Sequence, residues 1–194
     1  MSEATVTELW LMRHGQTEWS KTGQHTGRTD IPLLEEGIEQ AKTLQPQVEG
    51  VKFDHVYSSP LVRAKDTAKL AGLGDEMEIE PELLEWNYGI YEGRKTSDIR
   101  KEVPGWDVFT ADIPEGENAE DVQKRVSAFV DRLDKTGGRI ALFAHAHILR
   151  AIAGYWAAGD IRFGAHLALS PASLSVLTYH REDRVIKKWN VTHH

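Results

Sequence analysis

The sequence contains no cysteine, which excludes disulfide bonds and thiolate metal sites. No apolar run approaches the roughly 18 residues that a membrane-spanning helix needs. The first residues, Met-Ser-Glu-Ala-Thr-Val-Thr-Glu, lack the basic start and the apolar core of a signal peptide. These absences predict a cytoplasmic protein that has no membrane partner.

Positive charge is also scarce: 30 acidic residues outnumber 23 lysines and arginines, and the net charge is −7. A nucleic-acid-binding protein concentrates Lys and Arg on one face to neutralise phosphates, and the sequence has no such cluster. Nucleic acid is therefore not an expected partner. A small phosphorylated metabolite is an acceptable one, because a few converging arginines can bind it locally.

The 194 residues contain no internal repeat, low-complexity segment or linker, so a single domain spanning 1–194 is expected. Hydrophobic periodicity predicts strands that alternate with helices. This alternation is typical of a three-layer α/β/α fold whose central sheet is mostly parallel, with one antiparallel edge strand. The predicted strands cover 8–12, 55–57, 78–80 and 139–144, the predicted helices cover 35–45, 61–70, 96–103, 119–133 and 149–156, and a hairpin pairs 173–179 with 184–189.

Reactive side chains follow two apolar runs of the sequence. One run begins at Leu9 and ends in Arg13-His14-Gly15, and the other begins at Ile140 and ends in His145. In an α/β protein the carboxyl ends of buried strands open on the ligand crevice, so both histidines are candidates for one site. The four stretches that carry candidate residues are Leu9–Thr17 with Arg13 and His14, Val56–Ala64 with Arg63, Leu83–Gly89 with Glu85, and Ile140–His147 with His145.

In residue types and order these four stretches resemble the histidine phosphatase superfamily, whose phosphoglycerate mutase branch shares the Arg-His-Gly signature. The motifs run from Arg13 to His145 and so cover nearly the whole chain. The resemblance implies a phosphoglycerate mutase-like fold and a phosphohistidine on His14. It also implies that His145 binds the phosphate as a second histidine, which we expect to donate a hydrogen bond and to carry positive charge.

The residue types suit phosphoryl transfer without a metal or cofactor. The guanidiniums of Arg13 and Arg63 can grip phosphate oxygens bidentately and neutralise the charge that spreads over them. A neutral imidazole at His14 can attack phosphorus if its other nitrogen is held protonated by a backbone carbonyl. Glu85 is the predicted general acid, with a pKa raised by its surroundings, and afterwards the base that activates water.

Further residues are expected to contact the substrate. The resemblance places Thr26 and Gly27 along the substrate cleft, and Gln16 and Ser20 are predicted phosphate neighbours. Many mutases have asparagine where this chain has Ser20. The predicted substrate-binding residues are Gln16, Ser20, Thr26, Gly27, Tyr88, Ala146, which stands where glycine is usual, and His147, whose direction the sequence leaves open.

The leading hypothesis is a phosphatase that acts on a small metabolite such as a sugar phosphate. The segments 16–20, 23–27 and 85–93 look closest to the branch with sedoheptulose bisphosphatase-like enzymes. The alternative is a phosphoglycerate mutase, which must hold a substrate carboxylate with basic side chains. The corresponding span, 95–117, is short and carries only Lys95, Arg100 and Lys101, which favours the phosphatase.

Two hypotheses lie outside this class. A metallohydrolase could use His145 and His147 with His14 and a carboxylate as zinc ligands, provided that the strand ends at His145. A phosphate-sensing binding module is disfavoured, because sensing does not need a positioned acid such as Glu85. The oligomeric state is left open.

Overall fold

The computed structural model describes residues 6–194, so the first five of the eight residues that lack a signal-peptide pattern lie outside the described part. Within residues 6–194 the chain forms six strands, around which seven α-helices and short 3₁₀ segments are arranged. The strands are β1 (Glu8–Arg13), β2 (His55–Ser58), β3 (Met77–Ile79), β4 (Arg139–Ala144), β5 (Leu174–His180) and β6 (Asp183–Val191). The helices are α1 (Glu18–Thr22), α2 (Glu35–Lys42), α3 (Gln45–Val48), α4 (Val62–Leu70), α5 (Thr96–Glu102), α6 (Ala119–Thr136) and α7 (Ala146–Ala158).

The six strands form one sheet in the order β3-β2-β4-β1-β5-β6. Strands β1, β2, β3 and β4 are parallel, whereas β5 runs antiparallel to β1 and to β6. The predicted mostly parallel sheet with an antiparallel edge, supplied by the closing hairpin, is confirmed. In the register of β1 and β4, Arg13 lies opposite Ala144, so His14 and His145 leave the sheet side by side.

Two apolar cores cover the two faces of the sheet, which gives the predicted three layers. Alternate residues of β1 enter different cores, as the period of two requires: Leu9 and Leu11 pack with α6 and α7, and Met12 packs with α3 and α4. The apolar stripe predicted on α6 is fully buried on one side. It consists of Val122, Val126, Phe129, Val130 and Leu133.

Several boundaries differ from the sequence prediction, and α6 continues to Thr136 instead of ending at Leu133. Helix α1 lies in a segment that was expected to be a loop, and the helix predicted over 35–45 ends at Lys42, before the short α3. Helix α7 begins at Ala146 rather than at Leu149, so that His145 is its N-cap residue. Within residues 6–194, no helix is long and apolar enough to cross a membrane.

Candidate active site

The two histidines that follow β1 and β4 lie next to each other. Their ring centroids are 5.2 Å apart, and the planes are inclined by 61°. The backbone of His14 continues the sheet at its end: its N–H donates to Ala144 O at 3.0 Å, and its carbonyl accepts from Ala172 N at 3.1 Å. Strand register and these two bonds together fix the position of His14.

The ring of His14 has one nitrogen occupied and one free. Nδ1 lies 2.6 Å from the carbonyl oxygen of Gly15, so it carries the proton and donates it to that oxygen. Nε2 therefore presents a lone pair, as the nucleophile hypothesis requires. Burial, with the nearby guanidiniums of Arg63 and Arg13, holds the pKa of His14 well below its usual value of 6.5. The ring is neutral at neutral pH.

The turn after His14 depends on a close contact between backbones. A Cβ atom on Gly15 would lie 2.1 Å from the carbonyl oxygen of Gly37 in α2, and a Cβ atom on Gly37 would lie 2.1 Å from Gln16 O. The hydroxyl of Thr67 in α4 accepts from Gly15 N at 3.1 Å and donates to Arg63 O at 2.7 Å. Two helices thus hold the carbonyl that orients His14.

Arg63 is completely buried beside His145. Its guanidinium donates from Nη1 to Thr29 O at 2.8 Å and from Nη2 to Gly27 O at 2.9 Å. Its Nε–H donates to Nδ1 of His145 at 3.1 Å. Burial lowers the pKa of Arg63 from 12.5, yet a guanidinium stays protonated at any physiological pH. The loop 26–29 and His145 together hold this cation in one orientation.

His145 is neutral, and the expectation that it carries positive charge is wrong. Its Nδ1 accepts from the guanidinium of Arg63, so that nitrogen cannot carry a proton. Nε2 holds the remaining proton and faces the hydroxyl of Ser59 at 2.7 Å. Burial, followed by the charge of Arg63, lowers the pKa of His145 well below 6.5. Its ring remains a hydrogen-bond donor through Nε2.

Arg13 has a donor that no described residue satisfies. Its Nη1 donates to the carbonyl oxygen of Leu169, whereas the buried Nε has no hydrogen-bond partner among residues 6–194. Burial lowers the pKa of Arg13 to about 10, so the group remains charged at neutral pH. An unpaired buried donor of a cation is costly unless an anion accepts from it.

Glu85 is 2% exposed and lies at the N-terminus of α7. Its Oε1 accepts from Trp86 N at 2.9 Å and from Ile148 N at 2.8 Å, and its Oε2 accepts from His147 N at 3.0 Å. Burial raises the pKa of Glu85 above 4.5, even though these N–H donors and Arg63 favour the ionised form. Oε1 has both lone pairs occupied, so Oε2 is the oxygen that can take a proton.

A cavity of about 170 Å³ brings most of the predicted residues together. Arg63 and His145 lie buried beside it, where His145 contacts the ring of His14. The cavity is lined by Arg13, His14, Ser20, Gly23, Gln24, His25, Thr26, Glu85, Tyr88, Ala146 and His147.

Two predicted contact residues do not line this cavity. The side chain of Gln16 faces α2, where its Oε1 accepts from Gln40 Nε2 at 3.2 Å. Gly27 is buried behind the wall, because its N–H donates to Glu92 Oε1 at 2.9 Å while its carbonyl holds Arg63. Gly27 supports the loop, and Gln16 contacts α2.

Ser20 and His147 do lie in the wall of the cavity. Ser20 is also part of the cap of α1: its hydroxyl accepts from Thr17 N at 2.8 Å and donates to Thr17 O at 3.0 Å. His147 contacts Tyr88, whose hydroxyl lies 2.5 Å from its Nδ1. The direction of His147, left open by the sequence, is therefore toward the cavity.

Gly23, Gln24 and His25, from the segment 23–30 that the sequence predicts to supply secondary contacts, also line the cavity. They lie in the loop after α1, and the loop returns to the site because Gln24 bridges Lys95 and His25 N donates to Arg94 O at 2.9 Å. The sequence contains no signal for this pairing. His25 packs against Tyr88 and Trp106 with ring centroids 4.8 and 5.2 Å away.

The metallohydrolase hypothesis needs converging ligands. Among residues 6–194, no three His, Asp or Glu side chains are grouped so that they could hold a metal ion. The Nδ1 atoms of His145 and His147 instead pair with Arg63 and Tyr88. The geometry of the described side chains gives this hypothesis no support.

Comparison with known proteins identifies the family to which this chain belongs. A family model described as histidine phosphatase superfamily (branch 1) matches residues 9–192. An acid phosphatase of Mycobacterium tuberculosis is 36% identical over 190 residues, covering 96% of this chain and 93% of the relative. A sedoheptulose 1,7-bisphosphatase of Saccharomyces cerevisiae is 34% identical over 179 residues, covering 75% of this chain and 66% of the relative. A solved structure of an open reading frame from Mycobacterium tuberculosis has a TM-score of 0.91 at 33% identity, covering 97% and 99% of the two chains.

Proposed function

The chain belongs to the histidine phosphatase superfamily, and from that premise we propose that it hydrolyses phosphate monoesters of small metabolites, sugar phosphates among them. One observation carries the proposal: the neutral ring of His14 is held with Nδ1 on Gly15 O and with Nε2 free. A merely structural histidine has no need of a protected lone pair between two arginines. Both curated relatives reported above are named as phosphatases, which supports hydrolysis over isomerisation.

The first step is an in-line transfer to His14. A bond forms between Nε2 and phosphorus, the bond from phosphorus to the ester oxygen breaks, and the proton on Glu85 Oε2 moves to that oxygen. The alcohol leaves neutral, and Glu85 is left ionised beside the phosphohistidine. Because its pKa is raised, Glu85 keeps this proton at pH values above the range in which a carboxylic acid is usually protonated.

The second step returns the enzyme to its starting state. Glu85 takes a proton from a water molecule while the water oxygen attacks phosphorus. The bond from phosphorus to Nε2 of His14 breaks, and inorganic phosphate is released. The imidazole regains its lone pair, because its own proton stays on Nδ1 throughout.

The phosphate oxygens need donors on several sides. The unpaired Nε–H of Arg13 offers one, and a bound phosphate would satisfy it with a charge-assisted hydrogen bond. Arg63 contributes its fixed charge, and His145 supplies its Nε2–H to a phosphate oxygen when its ring rotates away from Ser59. A neutral donor suffices at His145 because the two guanidiniums already supply the positive charge.

The test is hydrolysis of a panel of phosphate monoesters by wild type and by His14→Ala, with acid quench and alkaline quench of a labelled substrate. We expect turnover and an acid-labile, alkali-stable phosphoenzyme in wild type, and neither in His14→Ala. His166→Ala is the matched control, because that histidine is exposed and lies outside the cavity.

Two other outcomes would reject the proposal in different ways. Activity that disappears with a chelator, or that survives in His14→Ala, would favour a metal-dependent mechanism. Isomerisation of phosphoglycerate faster than its hydrolysis would favour the mutase. The panel therefore includes phosphoglycerate and a chelator arm.

A further inference from the structure

We propose that the cavity selects monophosphate esters whose leaving group carries no negative charge, such as a polyol, and rejects esters with a carboxylate or a second phosphate. The inference rests on the proposed function and narrows its substrate class. It follows from the charges and the hydrogen-bonding groups that line the wall beyond the phosphate position.

The cavity has very few cations. Of its 11 lining residues, all within the described part of the chain, Arg13 is the single lysine or arginine. Its free Nε–H is committed to the transferring phosphate in the proposed mechanism. Arg63 is fully buried and bound by carbonyl oxygens. A second anionic group on the substrate would therefore meet no free guanidinium or ammonium in the wall.

Neutral aromatic groups form a further part of the wall, namely Tyr88, His147 and His25. The hydroxyl of Tyr88 and Nδ1 of His147 share a hydrogen bond of 2.5 Å. Burial lowers the pKa of His147 well below 6.5 and that of His25 to about 4. At neutral pH these side chains are uncharged hydrogen-bonding groups, which suit hydroxyls.

The charges around this wall are negative. Glu92 and Asp107 lie near enough to His25 to favour its protonated form, although burial prevails. Two nearby cations are already engaged. Arg150 donates from Nε to Gly164 O at 3.0 Å, and its guanidinium lies over the ring of Phe109. Arg28 donates from Nε to Glu85 O at 3.1 Å and pairs with Glu117. A carboxylate placed here would face like charges, which costs free energy that no partner returns.

The experiment compares matched substrate pairs that differ by one charged group. The pairs are glycerol 3-phosphate with 3-phosphoglycerate, and fructose 6-phosphate with fructose 1,6-bisphosphate. We expect kcat/KM to be about tenfold or more higher for the less charged member of each pair. Equal or reversed values would overturn this inference and leave the proposed phosphatase standing. Failure to hydrolyse any ester, p-nitrophenyl phosphate included, would reject the phosphatase and the inference with it.

A variant tests whether the wall of the cavity determines the selectivity for uncharged leaving groups. Gln24 is half-buried in the lining, so Gln24→Lys should place an ammonium there. We expect this variant to raise kcat/KM for 3-phosphoglycerate relative to glycerol 3-phosphate by about tenfold. Gln24→Met, of similar length and without charge, should keep the wild-type ratio. A ratio unchanged in Gln24→Lys, or shifted equally in both variants, would contradict selection by charge.

Discussion

The pKa values of His14 and Glu85 are shifted in opposite directions by the same cause. Burial lowers the pKa of the histidine and raises that of the carboxyl group, because it disfavours the charged form of each. The proposed reaction needs both uncharged forms together, a neutral nucleophile and a protonated acid. A single physical effect therefore prepares both partners.

The first residue-scale prediction is the pH dependence of kcat/KM. The nucleophile is active when neutral, so activity should persist as the pH falls through 6.5 and disappear only below the lowered pKa of His14. The acid is active when protonated, so activity should decline as the pH rises through the raised pKa of Glu85. We expect an acidic optimum, measured with an alkyl phosphate. A profile that rises steadily from pH 6 to about pH 9 would contradict these roles.

The second residue-scale prediction is Glu85→Gln. The variant keeps an oxygen that can accept from backbone N–H groups but has no proton to give. We expect kcat for alkyl phosphates to fall by about 10²- to 10⁴-fold and the alkaline limb of the profile to vanish. Hydrolysis of p-nitrophenyl phosphate should fall less, because its leaving group needs little protonation. Glu78→Gln, at an exposed position of β3, is the control.

At the scale of secondary structure elements, the contact between α2 and the turn after His14 is the most demanding one. Gly37 lies inside α2, where Gly→Ala ordinarily stabilises a helix by roughly 0.5–1 kcal/mol. Here the added Cβ would lie 2.1 Å from Gln16 O. We expect Gly37→Ala instead to lose about 1–3 kcal/mol of unfolding free energy and to reduce kcat, because the turn that orients His14 must shift. Chemical denaturation and steady-state kinetics measure both effects.

The control for this prediction is Glu39→Ala, an exposed position on the same helix. It should change the unfolding free energy by no more than about 0.5 kcal/mol and leave kcat unchanged. If Gly37→Ala is stabilising and fully active, the close approach of the two backbones is not needed to orient His14.

The elements also show where sequence reasoning succeeds and where it fails. Strand β4 is predicted with its observed bounds, because the apolar run 140–144, which follows Gly138 and Arg139 and ends before His145, permits little else. The start of α7 is missed by three residues because its N-cap is a histidine with no capping bond. Its first N–H groups donate to Glu85, which is distant in sequence, and local patterns carry no record of such a partner.

The same distinction applies to the site. Arg13, His14, Glu85 and Tyr88 are predicted to share a cavity, and they do, since motif order and strand ends place them there. The charge of His145 is predicted wrongly, because it depends on which nitrogen Arg63 approaches. Hydrogen-bond direction within a buried cluster follows from three-dimensional packing, which the residue types alone do not specify.

At the scale of the whole molecule, the buried histidines link activity to stability. His14, His25, His145 and His147 all have pKa values below 6.5 in the folded chain. Below pH 6.5 the unfolded chain binds protons that the folded chain does not, so stability falls as the pH falls. Each histidine can contribute up to about 1.4 kcal/mol per pH unit. The raised pKa of Glu85 has the opposite effect and increases stability as the pH falls, but Glu85 is one group and the histidines are four.

We therefore predict that the urea midpoint of unfolding declines between about pH 7 and pH 5, with an unchanged slope. His25→Gln should show a weaker decline, because it removes one of the four groups and His25 titrates at about pH 4 in the folded chain. His166→Gln, with its exposed ring, should behave as wild type. A midpoint that stays constant or rises on acidification would show that these histidines do not resist protonation when folded.

The bond between Ala172 N and His14 O has a consequence for the order of events during synthesis. His14 is synthesised early and leaves the ribosome long before Ala172, which holds its carbonyl. Strand β1 cannot pair on its second side until β5 has been synthesised. A nascent chain therefore carries every motif of the site before it can hold His14 in place. Because closing so long a loop is slow, the nascent chain should become catalytically active late in synthesis and within a short time. The onset of phosphatase activity would then report the time at which the sheet is complete.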